Sequence, residues 1–174
     1  DGDGRLDLYL VQGHGDSGKA RNPGAQSNVL YRQGADGRFT DVSSKAGVAD
    51  RGYGAGAAVG DYDNDGDLDL FTGARVFLNG GNRHSWLKVK TVGGAGSNFS
   101  GIGARVWVIA VSRAQIREVS CGNSGNQDPL VQHFGLGNHE GKVKVQVLFP
   151  SGRFGSWKTR PRRTFVAMES KARH

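Results

Sequence analysis

Five carboxylates fall within nine residues of this chain, in Asp61-Tyr62-Asp63-Asn64-Asp65-Gly66-Asp67-Leu68-Asp69. They alternate with other residue types, and a glycine stands near the middle. Carboxylates that converge with nothing between them repel, by roughly 3 kcal/mol for a pair at about 5 Å and an effective dielectric near 20. A hard cation removes that repulsion. Calcium takes about six to eight oxygen ligands in flexible geometry, and alternate acids in a tight turn can supply them. Gly66 is where such a loop reverses, often with a positive φ. The pattern assigns the side chains of Asp61, Asp63, Asp65 and Asp69 as calcium ligands. Asp67 is expected to offer its backbone carbonyl, with its side chain turned away. A solvated acidic turn is the plainer reading. Alternation, central glycine and terminal acid occur together here, and that combination favours the ion.

The loop does not have EF-hand spacing. An EF-hand loop runs about twelve residues, closes on a bidentate Glu and sits between helices. Here the closing acid comes eight residues after the first. Leu68, Asp69 and Leu70 then alternate apolar, acidic, apolar, which is strand periodicity.

The chain opens on an echo of this loop. Asp1, Asp3, Gly4, Asp7 and Leu8 align with Asp63, Asp65, Gly66, Asp69 and Leu70 at a constant offset of 62 residues. A repeat of that length fits one four-stranded unit of a β-propeller or a related array. Asp1, Asp3 and Asp7 take the side-chain roles of the copy, and Arg5 takes the backbone-carbonyl role. The first aspartate of the copy would precede residue 1, so this second metal site is expected to be incomplete. The chain thus reads as part of a longer protein whose further repeats are needed for its stability, and a leader is missing from view.

Between the loops, Asn28-Val29-Leu30-Tyr31-Arg32 and Arg38-Phe39-Thr40-Asp41-Val42 flank Gly34-Ala35-Asp36-Gly37, a β-hairpin signal. Residues 13–27 read as a loop, and 43–48 as one helical turn. The small residues of 53–60 suit a crowded inner strand. Beyond residue 84, strand-like runs cover 86–92, 104–111, 115–120, 142–149 and 163–168. In Lys142-Val143-Lys144-Val145-Gln146-Val147 polar residues and Val alternate strictly, so one face should be buried and the other wet. A small sandwich-like module is the natural outcome.

Composition agrees with an all-β chain: 174 residues hold 29 glycines and four prolines, with 36% hydrophobic content. No apolar run reaches the roughly 18 residues that span a membrane. The net charge of +7 hides a division. Residues 1–83 carry 9 Lys/Arg against 12 Asp/Glu, and residues 84–174 carry 14 against 4. The halves are therefore −3 and +10, which places a boundary near Gly80-Gly81-Asn82-Arg83. Single Cys121 makes no internal disulfide, and a free cysteine is usually buried.

Catalytic signatures are weak. His14, His84, His133, His139 and His174 show no zinc-binding spacing. His133 reads as a structural histidine beside a turn. Ser120-Cys121 with His133 as base lacks anything to activate the thiol. Lys158, Arg160, Arg162 and Arg163, with Lys171 and Arg173 beyond them, are a candidate polyanion site. Their plainer role is a solvated strand edge guarded against aggregation. A sulfated glycan fits this cluster better than DNA, since neither interleaved aromatics nor a recognition helix accompanies it. Asn98-Phe99-Ser100 is a glycosylation sequon at Asn98.

Residues 1–80, through 61–69, 28–32 and 37–42, resemble FG-GAP/VCBS calcium-loop repeats. Residues 84–170 resemble the ASPIC/UnbV domain. They do so through Trp86-Leu87-Lys88-Val89, Ser97-Asn98, Gly101-Ile102-Gly103-Ala104-Arg105-Val106, Gln115-Ile116-Arg117-Glu118-Val119, His133-Phe134-Gly135-Leu136-Gly137 and Val145-Gln146-Val147-Leu148-Phe149-Pro150-Ser151-Gly152. The combination resembles the C-terminal part of a cartilage-acidic-protein-like secreted protein, although the second half is basic where the best-known members are acidic. It implies partial propeller blades over 1–82, a β domain over 83–170 and a tail over 171–174. The expected function is a non-catalytic, extracellular or periplasmic module with a structural Ca2+. A protein or extracellular-matrix partner is expected, in an interaction or adhesion role. The alternatives are an accessory domain of a secreted enzyme and a polyanion-binding module.

Overall fold

A computed structural model describes residues 1–12, 27–52, 56–63, 65–73, 75–110, 113–122 and 129–172. Most of the loop expected over 13–27 and part of the 53–60 run lie outside these residues, as do His14, Asn64, Arg173 and His174. The described residues are all β: thirteen strands in four sheets, with a single 3-10 turn at Glu169–Lys171. None of their helices is long and apolar enough to cross a membrane. Two compact units form, one of Asp1 with Arg5–Asn82 and one of Gly2–Gly4 with Arg83–His174.

The first unit holds two three-stranded antiparallel sheets. One joins β1 (Leu8–Leu10), β2 (Val29–Gln33) and β3 (Phe39–Asp41). The other joins β4 (Ala57–Gly60), β5 (Asp69–Thr72) and β6 (Arg75–Phe77). The Asp-Gly hairpin forms between β2 and β3, closed by Gly34 N–H to Arg38 O at 2.8 Å. Residues 43–48 make turns, with Ala46 N–H reaching Val42 O at 2.8 Å. The crowding expected of β4 is not found: Ala57, Ala58 and Val59 are exposed. Leu8, Leu10, Val76 and Leu78 are exposed too. These are faces that a propeller blade covers with its neighbours.

With so little apolar burial, polar braces hold this unit. Asp50, buried, accepts Gly52 N–H at 2.9 Å and lies 3.1 Å from the Arg75 guanidinium. Its backbone carbonyl accepts Asn28 N–H at 2.7 Å. Tyr9 donates its hydroxyl to Val48 O at 2.9 Å, and burial raises its pKa above the ordinary value.

The second unit is a sandwich of two sheets. One orders β10 (Val131–Gly137), β7 (Ser85–Val92) and β13 (Arg163–Met168), with β7 and β13 parallel. The other orders β12 (Phe154–Thr159), β11 (Val143–Leu148), β8 (Arg105–Ala110) and β9 (Arg113–Glu118). The first sheet brings Leu87, Val89, Phe134, Leu136 and Ala167 to the core, and the second brings Val106, Val108, Val143, Val145 and Val147. Fully burying such a side chain stabilises the fold by about 1.5–3 kcal/mol. The Val positions of 142–147 all face inward, as their alternation requires. Trp157 and Phe165 meet across the sandwich with ring centroids 5.9 Å apart. Lys171 lies in the 3-10 turn and Ala172 packs on the core, so these two members of the expected tail stay with the domain.

Candidate metal centre

The acidic loop is the hairpin connection between β4 and β5. Gly60 and Asp69 face one another as the last pair of that ladder. The residues between them must therefore reverse the chain in a confined space. Gly66 takes φ +100°, open to glycine and strained for other residues. Its N–H bonds Asp61 Oδ2 at 3.0 Å.

Two short-range bonds set the spacing of the acids. Asp65 N–H bonds Asp63 Oδ1 at 3.1 Å, and Asp67 N–H bonds Asp65 Oδ1 at 2.8 Å. Such side-chain-to-backbone turns are a common property of aspartate. Each uses one oxygen of its carboxylate. The result brings one oxygen each from Asp61, Asp63 and Asp65 to within 4.8 Å of one another. Three carboxylate oxygens so placed fit a hard, oxygen-seeking cation.

Asp69 stands apart from this group. It is buried, and both its oxygens accept backbone bonds, from Tyr62 N–H at 2.7 Å and Asn79 N–H at 2.8 Å. Its side chain closes the hairpin and fastens the segment after β6. The Asp67 side chain accepts Asn82 N–H at 3.2 Å. Gly81, at φ +80°, leaves room beside it: a Cβ there would stand 3.3 Å from Asp67 Oδ2 and 3.5 Å from Asp65 Oδ2.

The N-terminal copy is arranged differently. Asp7 Oδ1 accepts Gln33 N–H at 3.0 Å, and Asp1 Oδ2 lies 2.5 Å from Arg32 Nε. Arg5 Nε donates to Gln33 O at 2.9 Å. Asp3 groups with the second unit, whereas Asp1, Arg5 and Asp7 group with the first.

A family model for an FG-GAP-like repeat matches residues 1–72. A model for ASPIC and UnbV matches residues 93–173. The chain is an FG-GAP-like repeat followed by an ASPIC/UnbV domain. No curated protein matches it.

Within the ASPIC/UnbV domain the sequence-stretch of cations does not form one surface. Lys158 lies in β12 and Arg160 follows it. The chain then turns at Arg162, at φ +57°, whose N–H bonds Trp86 O at 2.6 Å and whose guanidinium bonds Arg83 O at 2.9 Å. Arg163 opens β13 in the other sheet. Adjacency in sequence is broken by this change of sheet. His133 is mid-strand and stacks on Trp86 at 6.3 Å, which corrects the expected place beside a turn. Cys121 is exposed, against the usual burial of a free cysteine. Asn98 is exposed, and its amide clamps Ile102 through N–H and C=O, each at 2.8 Å.

One acid of the ASPIC/UnbV domain carried no sequence signal. Glu169 is fully buried and accepts bonds from Gly94 N–H, Ser97 Oγ and Ser151 Oγ. Burial pushes its pKa up, but these bonds and the positive Arg153 outweigh it and leave the carboxyl below its ordinary value. The residue staples the last turn to the loops after β7 and β11.

Proposed function

We propose that the FG-GAP-like region holds a structural Ca2+ in the β4–β5 hairpin and serves as a non-catalytic, extracellular or cell-surface module for protein or matrix contacts. The convergence of Asp61, Asp63 and Asp65 oxygens carries this reading. Neither Asp63 nor Asp65 forms an ion pair with the described residues. Carboxylates pair with a hard cation such as Ca2+ better than a soft one. Bound there, the ion would neutralise the loop and stiffen the connection between paired strands. Asp69, braced by two N–H groups, serves the same end without joining the ion. FG-GAP-like repeats and ASPIC/UnbV domains are typical of extracellular or cell-surface proteins, where calcium modules bind with Kd on the order of 10⁻⁴–10⁻³ M.

Thermal melting in calcium and in chelator, on wild type and Asp65→Ala, tests the proposal. Calcium should raise the wild-type Tm and leave the variant where chelator puts it. A wild-type melt indifferent to chelator overturns the reading.

A further inference from the structure

The outer face of the four-stranded sheet gathers cations that lie apart in sequence. Lys144 of β11 stands directly opposite Lys158 of β12. On both strands alternation continues one step past the ladder, so exposed Lys142 and Arg160 flank buried Val143 and Thr159. The four cations occupy two neighbouring rows on one face. Strand spacing and rise make this a rectangle of about 5 Å by 7 Å.

Like charges directly opposite across a ladder weaken it. Among the described residues none of the four is in an ion pair. The acids of this domain among the described residues lie elsewhere or go unused here. Glu118 pairs with Arg105 at 3.8 Å in a different row, Glu169 is buried in its own clamp, and exposed Glu140 joins no ion pair with the described residues. The other neighbour of Lys144 in its row is Ile109. An external anion would relieve this repulsion.

The adjoining row sets the class of anion. It runs Ser156, Gln146, Trp107, Ile116 across the four strands. A hydroxyl and an amide therefore stand next to the cations, and a half-buried indole stands beyond them. These groups suit sugar hydroxyls and the apolar face of a sugar ring. Nucleic-acid strands are held by aromatics interleaved with cations. Here the four-cation cluster itself contains no aromatic. We propose that this face binds a sulfated polysaccharide, its sulfates on Lys142, Lys144, Lys158 and Arg160 and its chain running toward Trp107.

The test uses the whole chain and heparin as the probe, in a salt gradient and in titrations at fixed salt. Lys144→Glu/Lys158→Glu should elute at lower salt and bind at least about tenfold more weakly. Lys142→Ser/Arg160→Ser, outside the ladder, should show a smaller loss in the same direction. Lys90→Glu/Arg163→Glu changes two exposed cations of the other sheet by the same charge and should bind like wild type. Desulfated heparin should bind poorly to all. Equal losses in the two charge-reversed variants would reduce the effect to net charge and overturn the site. So would binding of a single-stranded oligonucleotide as tight as heparin and equally sensitive to Lys144→Glu/Lys158→Glu.

Discussion

Asp7 and Asp69, 62 residues apart, perform the same act: each accepts a backbone N–H at or just past the end of the second strand of its own hairpin. The donor is Gln33 at 3.0 Å in the first copy and Asn79 at 2.8 Å in the second. The closing aspartate of the repeat is thus a structural brace. The carboxylates that precede it, Asp61, Asp63 and Asp65, are the ones that converge.

This separation predicts two kinds of mutant. Asp69→Ala strips the partners from Tyr62 N–H and Asn79 N–H in a buried setting. An unsatisfied buried donor costs about 1–3 kcal/mol. Urea unfolding should show a loss of about 2–4 kcal/mol in calcium and in chelator alike. A loss confined to calcium would make Asp69 a ligand instead.

Asp65→Ala should lose stability mainly where calcium is present. At millimolar calcium and a Kd on the order of 10⁻⁴ M, linkage amounts to about 1–2 kcal/mol. Calcium titration of Tm measures it directly. The variant also loses the bond to Asp67 N–H, so a small loss is expected in chelator.

Glu169 gives the second unit a pH dependence with a definite sign. Its carboxyl is held below the ordinary range in the folded state, so the unfolded chain binds its proton more readily. The stabilisation is complete above the unfolded pKa, near 4.3, and disappears as pH falls through the lower folded value. Glu169→Gln should flatten that acid limb in melts taken between about pH 2 and 6. An unchanged acid limb would remove Glu169 as its source.

Gly101 takes φ +68° in the loop after β7, and a Cβ there would meet Thr91 Oγ1 at 2.5 Å and Thr91 Cβ at 2.8 Å. Gly101→Ala combines backbone strain with overpacking and should destabilise by about 2–4 kcal/mol. Gly152, at φ +86°, has nothing within 4 Å of its Cβ position. Gly152→Ala should therefore cost less in the same unfolding assay.

Legibility in the sequence followed how local each signal was. The hairpin of β2 and β3 was readable because Asp36-Gly37 and two flanking apolar runs lie within a few residues. β13 was readable from its own residues, Arg163–Met168. β10 was not: Gly135 and Gly137 resemble turn residues, yet they lie in a strand against β7 with a shift in register between them. β12 was hidden in the same way, because Lys158 and Arg160 read as a charge run when Lys144, the partner of Lys158, lies on another strand. Within the acidic loop, residue types located the cluster. Which aspartate faces inward depends on the N–H groups of Asn79 and Asn82, and the loop's own spacing carries no trace of them.

The parallel pairing of β7 with β13 joins the opening strand of the second unit to its closing one, with Leu87 facing Arg163 and Val92 facing Met168. Every other strand of that sandwich lies between them in the chain. A ribosome must therefore release the last strand before the first can acquire its second neighbour. Until then β7 has an open edge, and closure spans a long stretch of chain, which slows folding. Removing that closing strand would leave an exposed edge available to other chains.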